Sequence, residues 1–360
     1  MIYFDHAATS LPRQEGALLR ASEAAAFGNP RRGRHGLQAK ANAALDQARA
    51  AIRKLVGFGE AAFLSSATHS LNQAILGWTP RPLAVAVDPM AHNSVRRPAL
   101  RLGVPVWTLP HDENGRIDLE KLDETWEQGT GLVVLTHGSN ISGLLQPVAE
   151  VAAFAQSRGA AVIVDAAQTA GIVFPMELGP VDAVALSGHK GLRALPGTGA
   201  LVATPGCDID PLITGGIGWD DTEEDMPEEY PYRLEAGTSN LPGAVAMGVA
   251  AEHSMSADWD WRSTATRLED AVRKAGVTKI WSGELPVLSF IIEGLSPTEV
   301  EQRLDADFEI VVRSGLHCSP EAHQVLNTLT TGTVRVSASS STGEDDFNAL
   351  TTALASLIAN

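Results

Sequence analysis

Short apolar runs alternate with helical patterns from about residue 38 to residue 205. In the helical segments apolar residues recur every three or four positions, whereas the apolar runs have the length of buried strands. This alternation predicts an α/β fold with a mostly parallel sheet and helices on both faces, because parallel strands need a crossover connection. Predicted strands cover residues 61–64, 82–87, 104–109, 132–136, 160–165, 183–186 and 199–203, and predicted helices cover 67–78, 94–102 and 148–158.

The pattern changes after residue 205. Residues 206–243 contain a Gly-Gly pair, an acidic stretch at 220–229 and a Tyr-Pro-Tyr turn, which is the composition of loops. The acidic stretch is expected to be a solvated surface, or a segment that gates a site. An Ala-rich helix from 244, strands at 287–292, 309–312 and 333–337, and a last helix at 345–359 predict a smaller α+β domain. We therefore predict a large domain over 15–243 and a small domain formed by 1–14 and 244–360.

Composition narrows the functional classes. Of the 360 residues, 44% are hydrophobic and 19% are charged, as in soluble globular proteins. The net charge of −16 argues against nucleic acid or an anionic membrane as a partner. The two cysteines, Cys207 and Cys318, cannot form a disulfide framework or a cysteine zinc site, and they suit a reducing compartment. Without a leader pattern or a membrane-length apolar run, the expected location is the cytosol.

Two polar residues follow neighbouring predicted strands. Asp165 ends the strand at 160–165, and Lys190 lies in Ser-Gly-His-Lys-Gly at 187–191, just past the next strand. The carboxyl ends of parallel strands form the edge where open α/β sheets bind ligands. A lysine can condense with the aldehyde of pyridoxal phosphate, and an acid can pair with its ring nitrogen, so the two predict a site for this cofactor. Taken alone, Asp165 fits a helix N-cap and Lys190 fits a surface turn.

Other segments supply what a phosphorylated ring needs. Residues 65–68, Ser-Ser-Ala-Thr, stand between a strand and a helix, where backbone N–H groups bind phosphate. Ser187 and His189 could add two donors, and His92, between another strand and helix, could stack on the ring. The alternatives are an ordinary Ser/Thr N-cap, a packed turn residue and a structural histidine.

Cys318 and Arg335 stand out from their surroundings. Cys318 lies among Arg, Gly, His and Pro at 313–320, and nearby cationic groups favour a reactive thiolate. Cys207 fits a small buried hydrophobe or a turn residue. Arg335 interrupts the apolar strand at 333–337, where it could bind a substrate carboxylate through two hydrogen bonds, or simply lie at the surface.

With these residues in place, the chain resembles the class V, fold-type I pyridoxal phosphate enzymes of the cysteine desulfurase and selenocysteine lyase group. In this sequence His6 and Ser341 stand where the family usually has Asn. Ser66 replaces a Gly, His69 an acid and Ile217 a polar side chain. The resemblance covers nearly the whole length, with motifs in order at 3–9, 65–72, 92–94, 139–143, 165–171, 187–190, 235–240, 315–318 and 335–337.

The resemblance implies a role for each matching residue. Lys190 would hold the cofactor, Asp165 would bind the ring nitrogen, and His92 would stack on the ring. Cys318 would be the nucleophile that accepts sulfur. The resemblance further implies Asn140 and Gln168 at the ring, chiefly at its phenolic oxygen; Ala67, Thr68, Ser187 and His189 at the phosphate; Thr238 at the phosphate of a partner subunit in a homodimer; and Arg335, Ala7 and Asn140 at the substrate.

We therefore predict a cysteine desulfurase that converts L-cysteine to L-alanine and passes sulfur from Cys318 to an acceptor protein or thiol. Alternatives within the family are a selenocysteine lyase, another β-lyase, an epimerase or an aminotransferase in which Cys318 is not essential. A catalytically silent protein that binds a partner through the acidic stretch is an alternative of another class. A zinc hydrolase using His317, Cys318 and His323 lacks a matching acid and ligand spacing.

Overall fold

The architecture is α/β, built around a seven-stranded sheet with two smaller sheets beside it. The computed structural model describes residues 1–31, 35–218, 222 and 224–359. The strands are β1 (Ile2–Tyr3), β2 (Glu60–Leu64), β3 (Ala84–Val87), β4 (Val106–Thr108), β5 (Thr130–Thr136), β6 (Ala161–Asp165), β7 (Ala183–Ser187), β8 (Gly199–Ala203), β9 (Lys279–Ser282), β10 (Val287–Ile291), β11 (Ile310–Val311), β12 (Arg313–Gly315) and β13 (Thr333–Ser337). The helices are α1 (Glu15–Ala24), α2 (Gly36–Val56), α3 (Ala67–Leu76), α4 (Asn93–Arg101), α5 (Leu122–Thr125), α6 (Val148–Ser157), α7 (Leu241–Ser256), α8 (Trp261–Lys274), α9 (Pro297–Phe308), α10 (Pro320–Val325) and α11 (Glu344–Ala359).

The large sheet has the strand order β2-β8-β7-β6-β5-β3-β4. Strands β4, β3, β5, β6 and β7 pair in parallel, whereas β8 is antiparallel to both β7 and β2. The predicted mostly parallel sheet is therefore confirmed. Strand β8 reverses direction because no helix intervenes between it and β7, and only a crossover could return it in parallel.

The central strands place their polar last residues along one edge. Strands β6 and β7 consist mainly of Val, Ile, Leu and Ala, and they are buried on both faces. Thr136 at the end of β5 pairs with Asp165 at the end of β6, and Ser187 ends β7 beside them. Strand β2 runs in the same direction as β7, since both are antiparallel to β8, so its last residue lies at this edge too.

The chain start packs with the C-terminal elements. Strand β1 pairs in parallel with β11, and Phe4 lies in a core formed by β10, β13 and helices α8, α9 and α11. Helix α7, however, packs against α1 and α2, and its Met247 and Ala250 belong to the core of the large sheet. The predicted domain division stays a prediction, and we propose that the change of unit follows α7.

Two surface features bear on the predictions. Residues 220, 221 and 223 of the acidic stretch lie outside the described residues; Glu224, Asp225, Glu228 and Glu229 are exposed. None of the helices in the described part of the chain has the length and apolar character that a membrane crossing requires.

Candidate active site

A cleft lies at the edge of the sheet where the parallel strands end. We call it the edge cleft; its empty volume is about 480 Å³, part of which is open to solvent. It brings together most of the residues that the sequence singled out for a cofactor. Its lining comprises Ser66, Ala67, Thr68, His92, Ser94, Thr136, Gly138, Asn140, Asp165, Ala167, Gln168, Ser187, His189 and Lys190.

Asp165 and Lys190 both line this cleft, where Asp165 is buried and Lys190 is partly exposed. Asp165 is 6% exposed, and its Oδ1 accepts a hydrogen bond from the Ala167 N–H at 2.9 Å. Burial raises the pKa of Asp165, and the Lys190 charge partly offsets this. Burial lowers the pKa of Lys190, with Asp165 acting in the opposite direction. A lysine with a lowered pKa is more readily the neutral, nucleophilic amine.

The start of α3 presents backbone N–H groups at the edge cleft. The Ser66 hydroxyl caps the helix by accepting a hydrogen bond from the His69 N–H at 3.1 Å. The N–H groups of Ala67 and Thr68 lie in the first turn, where no carbonyl of the same helix can accept from them. A Cβ at Gly199 would lie 2.4 Å from the Ser66 carbonyl carbon, so β8 can pack against this turn only if position 199 is glycine. The predicted N-cap is therefore confirmed, and the phosphate site predicted at the same turn stays a prediction.

His92 is fixed by the backbone that follows it. Its Nδ1 accepts the Ser94 N–H at 3.0 Å and lies 2.8 Å from the Ser94 hydroxyl. Burial, with the Lys190 charge next, lowers the pKa of His92 to about 4. The ring is therefore neutral near pH 7, and its orientation is set before any ligand binds.

Two polar residues of this edge escaped the sequence analysis. Thr136 has a buried Oγ1 with no hydrogen-bond partner among the described residues, and such a group needs a ligand or water. Asp88 follows β3, accepts the Met90 N–H at 2.6 Å, and has its pKa raised to about 7 by burial. Thr136 ends a buried strand and Asp88 follows one, which is the signal that identified Asp165. Together with the amine, the acid and the start of α3, the orphaned hydroxyl fits pyridoxal phosphate, a ring with polar substituents and one phosphate.

Asn140 connects the edge cleft to the segment that carries Cys318. Its Nδ2 donates to the His317 carbonyl at 2.9 Å, and its Oδ1 accepts from the Ser319 hydroxyl at 3.0 Å. The Asn93 N–H donates to the Cys318 carbonyl at 2.8 Å, next to His92. The Cys318 segment is therefore anchored on both sides of the cysteine.

The two cysteines lie in different environments. Cys318 is exposed, and its backbone φ is 59°, in the left-handed region, as is that of His317 at 48°. Cys207 is half-buried, its Sγ donates to the Asp182 carbonyl at 3.3 Å, and burial raises its pKa to about 11. Cys318 is the accessible thiol beside the edge cleft.

Arg335 is buried, with 2% exposure, so it is not a surface arginine. One guanidinium nitrogen donates to Asp5 at 2.6 Å and another to the Asn140 carbonyl at 3.2 Å. Asp5 carries no signal in the sequence, because no local pattern links two residues at opposite ends of the chain. Arg335 does not line the edge cleft, and its role toward substrate stays a prediction.

Ala7 and Thr238 also lie outside the edge cleft. Ala7 is just behind it, because the Gln168 Nε2 donates to the Ala7 carbonyl at 3.0 Å. Thr238 lines a neighbouring cleft of about 870 Å³ together with Ser65, His69 and Gly199. Their predicted roles stay predictions. Across the described ranges, no group of three or more His, Cys, Asp or Glu side chains could hold a metal ion.

Comparison with known proteins identifies relatives over the full length. The family model described as aminotransferase class-V matches residues 2–350. A probable cysteine desulfurase of Methanothermobacter thermautotrophicus is 31% identical, over 86% of this chain and 82% of its own. Cysteine desulfurase IscS 1 of Archaeoglobus fulgidus is 33% identical, over 74% of this chain and 68% of its own.

Solved structures agree with this similarity. The apo structure of a cysteine desulfurase from Thermococcus onnurineus superimposes with a TM-score of 0.90 at 28% identity, covering 99% of this chain and 94% of that one. The cysteine desulfurase CsdA of Escherichia coli gives a TM-score of 0.86 at 26% identity, covering 98% and 93%. The fold-type I architecture expected from the resemblance is confirmed.

Proposed function

The chain belongs to the class V aminotransferase family, and on this premise we propose that it is a pyridoxal phosphate-dependent cysteine desulfurase. One observation carries the proposal. The edge cleft combines an amine, an acid and a helix start, and the exposed Cys318 is fastened to the turn that presents His92. A general carbanion enzyme needs the first three groups, whereas sulfur transfer also needs a thiol within reach.

Different residues of the edge cleft would bind different parts of the cofactor. Asp165 would pair with the ring nitrogen, His92 would stack on the ring, and Lys190 would bind the aldehyde carbon. The phosphate would lie at the α3 start with Ala67, Thr68, Ser187 and His189. Asn140 and Gln168 would stand at the phenolic oxygen. When bound, pyridoxal phosphate supplies a ring that takes up the electrons released when a bond at the substrate Cα breaks.

The protein's own groups would then handle protons and sulfur. Lys190, with its lowered pKa, is suited to take the Cα proton of cysteine. Arg335 would attract the substrate carboxylate. The Cys318 sulfur attacks the substrate sulfur; the S–S bond forms as the Cβ–S bond breaks, and Cβ gains a proton. L-Cysteine and the Cys318 thiol thus become L-alanine and a Cys318 persulfide, which balances without an added oxidant.

The exposure of Cys318 supports delivery of the persulfide sulfur to an acceptor protein or thiol. We further propose a homodimer located in the cytosol. Thr238 lines the cleft next to the α3 start, where a second subunit's cofactor phosphate could be contacted.

The decisive experiment compares two cysteine variants. Purified protein should be yellow, its visible spectrum should shift with L-cysteine, and alanine should form. Cys318→Ala should keep the yellow cofactor but form no persulfide, while Cys207→Ala should behave as the unmodified protein.

Desulfuration by Cys318→Ala at the unmodified rate would falsify the nucleophile role and favour another β-lyase. A spectrum unmoved by cysteine but shifted by a different amino acid would reject cysteine as substrate.

A further inference from the structure

A second cavity lies behind the edge cleft, and the proposed desulfurase reaction does not use it. We call it the rear cavity; its empty volume is about 970 Å³, part of which is open to solvent. Gln168 lines both spaces and donates to the Ala7 carbonyl at 3.0 Å, so these two residues form the wall between them. A cavity of this size is large enough for a small organic molecule.

The walls of the rear cavity are rich in aromatic rings. Only 5% of the chain is aromatic, yet Phe174, Trp259 and Trp261 all line this one space. Phe174 is 44% exposed, although a large apolar ring is normally buried. Aromatic side chains that face an open cavity offer flat apolar surfaces, which suit a planar ring.

The charge of the lining is opposite to that of the chain as a whole. The chain carries a net charge of −16, but no Asp or Glu of the described residues lines the rear cavity, whereas Arg193 does. The Arg193 Nε donates to the Pro12 carbonyl at 2.9 Å and its Nη1 to the Ser340 hydroxyl at 2.8 Å. Its Nη2 donates to no group among the described residues. An arginine held in this way presents a fixed donor to an anion.

The backbone of Arg193 is held in an unusual conformation by hydrogen bonds. Its φ is 59°, a left-handed value that residues other than glycine and asparagine adopt at a cost in conformational energy. The strained turn is held because the Arg193 N–H donates to the Lys190 carbonyl at 2.8 Å and the Gln14 N–H donates to the Arg193 carbonyl at 2.9 Å. The turn thus ties the rear cavity directly to the lysine of the edge cleft.

Two residues at which this chain departs from the family pattern, His6 and Ser341, lie in one cluster. His6 lines the rear cavity, is 5% exposed, and its Nδ1 has no hydrogen-bond partner in the described part of the chain. Its Nε2 lies 3.5 Å from the hydroxyl of Ser339, which in turn lies 2.8 Å from that of Ser341. His6 and Ser341 are the two positions where the family usually has Asn. This cluster therefore places a buried imidazole in the wall of the cavity.

We propose that the rear cavity binds a small planar aromatic carboxylate, with the ring against Phe174 and the tryptophans and the carboxylate on Arg193. The occupant touches the turn after Lys190 and the wall formed by Gln168. Its binding therefore changes the surroundings of the cofactor site without entering it. The inference does not depend on which amino acid the enzyme consumes.

The test uses 2-naphthoate as the probe and 2-naphthamide as its neutral match, each titrated calorimetrically into cofactor-loaded protein without cysteine. Naphthoate should bind once per chain and about tenfold more tightly than the amide, the difference expected of one charge-assisted hydrogen bond. Arg193→Gln should remove this preference, and naphthoate should shift the visible spectrum of the cofactor.

A matched pair of variants locates the probe. Ser254 on α7 lines the rear cavity, so Ser254→Trp should fill it and weaken binding at least tenfold. Ser256 on the same helix is exposed and does not line it, so Ser256→Trp should bind as the unmodified protein does.

Absence of naphthoate binding, equal affinity for the amide, or unchanged binding to Ser254→Trp would each overturn the proposal. The probe comparison on the unmodified protein decides the matter even if a variant fails to fold. The inactive Cys318→Ala protein should bind naphthoate normally, which separates this result from that on desulfuration.

Discussion

Ser319→Ala should slow the transfer of sulfur to Cys318 without weakening cofactor binding. The Ser319 side chain is fully buried, and its hydroxyl donates to the Asn140 Oδ1 at 3.0 Å. The same amide donates to the His317 carbonyl at 2.9 Å. Asn140 therefore holds the residues on both sides of Cys318, and Ser319→Ala removes one of these two contacts while replacing no residue that lines the edge cleft.

The magnitude follows from the lost contact and from the strain of the segment. One buried hydrogen bond contributes about 1 kcal/mol, and the Asn140 oxygen left unpaired adds a desolvation penalty, so the loss is about 1–2 kcal/mol. His317 and Cys318 both hold left-handed backbones, which leaves the anchored segment little reserve to absorb this loss. The fraction of anchored segment, and with it the rate of persulfide formation, should fall about fivefold to thirtyfold.

The assay follows persulfide formation in a single turnover by alkylation and mass spectrometry, with the cofactor content read from the visible spectrum. Ser314→Ala is the matched control, since this serine lies in the same stretch of chain but bonds to Glu301 instead of Asn140. Ser314→Ala should react at the unmodified rate. If Ser319→Ala also reacts at that rate with full cofactor, the anchoring role of Asn140 is wrong.

Three further outcomes are expected. Asp5→Ala should lower the free energy of unfolding by about 3–5 kcal/mol because it leaves the Arg335 charge buried and unpaired. Glu344→Ala, which breaks an exposed pair with Arg267, should lower it by less than about 1 kcal/mol. Equal losses for the two variants in urea denaturation would contradict this. Iodoacetamide at pH 8 should label Cys318 in the folded protein and reach Cys207, with its pKa raised to about 11, only after denaturation; peptide mapping that finds Cys207 labelled first would refute it. The free energy of unfolding should fall as the pH is lowered from 6.5 towards 4. Burial lowers the pKa of several histidines from 6.5 to about 4, so the unfolded chain binds more protons than the folded chain in this window. The loss of stability is up to about 1.4 kcal/mol per pH unit for each imidazole. Three carboxyl groups oppose this in part, because burial raises the pKa of Asp88 to about 7 and also raises the pKa of Asp165 and Glu321. A stability that stays constant over this window would show that the imidazoles are not buried neutral. These histidines are His6, His92, His137, His189 and His323.

Local patterns along the chain were enough to predict the α/β sheet and the neighbouring positions of Asp165 and Lys190. Apolar periodicity identifies buried strands, and the directions of parallel strands then bring their last residues to one edge. Thr136 and Asp88 carry the same signal and could have been found in the same way. The cysteine and its unusual neighbours were also visible, since their composition does not suit a core.

The contacts that shape the site depend on residues far apart in the chain. Asp5 and Arg335 are 330 positions apart, and Asn140 and Ser319 are 179 apart. No local pattern encodes such pairings, because they arise only when β1, the edge of the large sheet and the α10 segment pack together. Packing likewise assigned α7 to the large core and left the rear cavity beside Arg193. The sequence therefore identifies the candidate reacting groups, whereas tertiary packing determines how they are held and which cavity lies beside them.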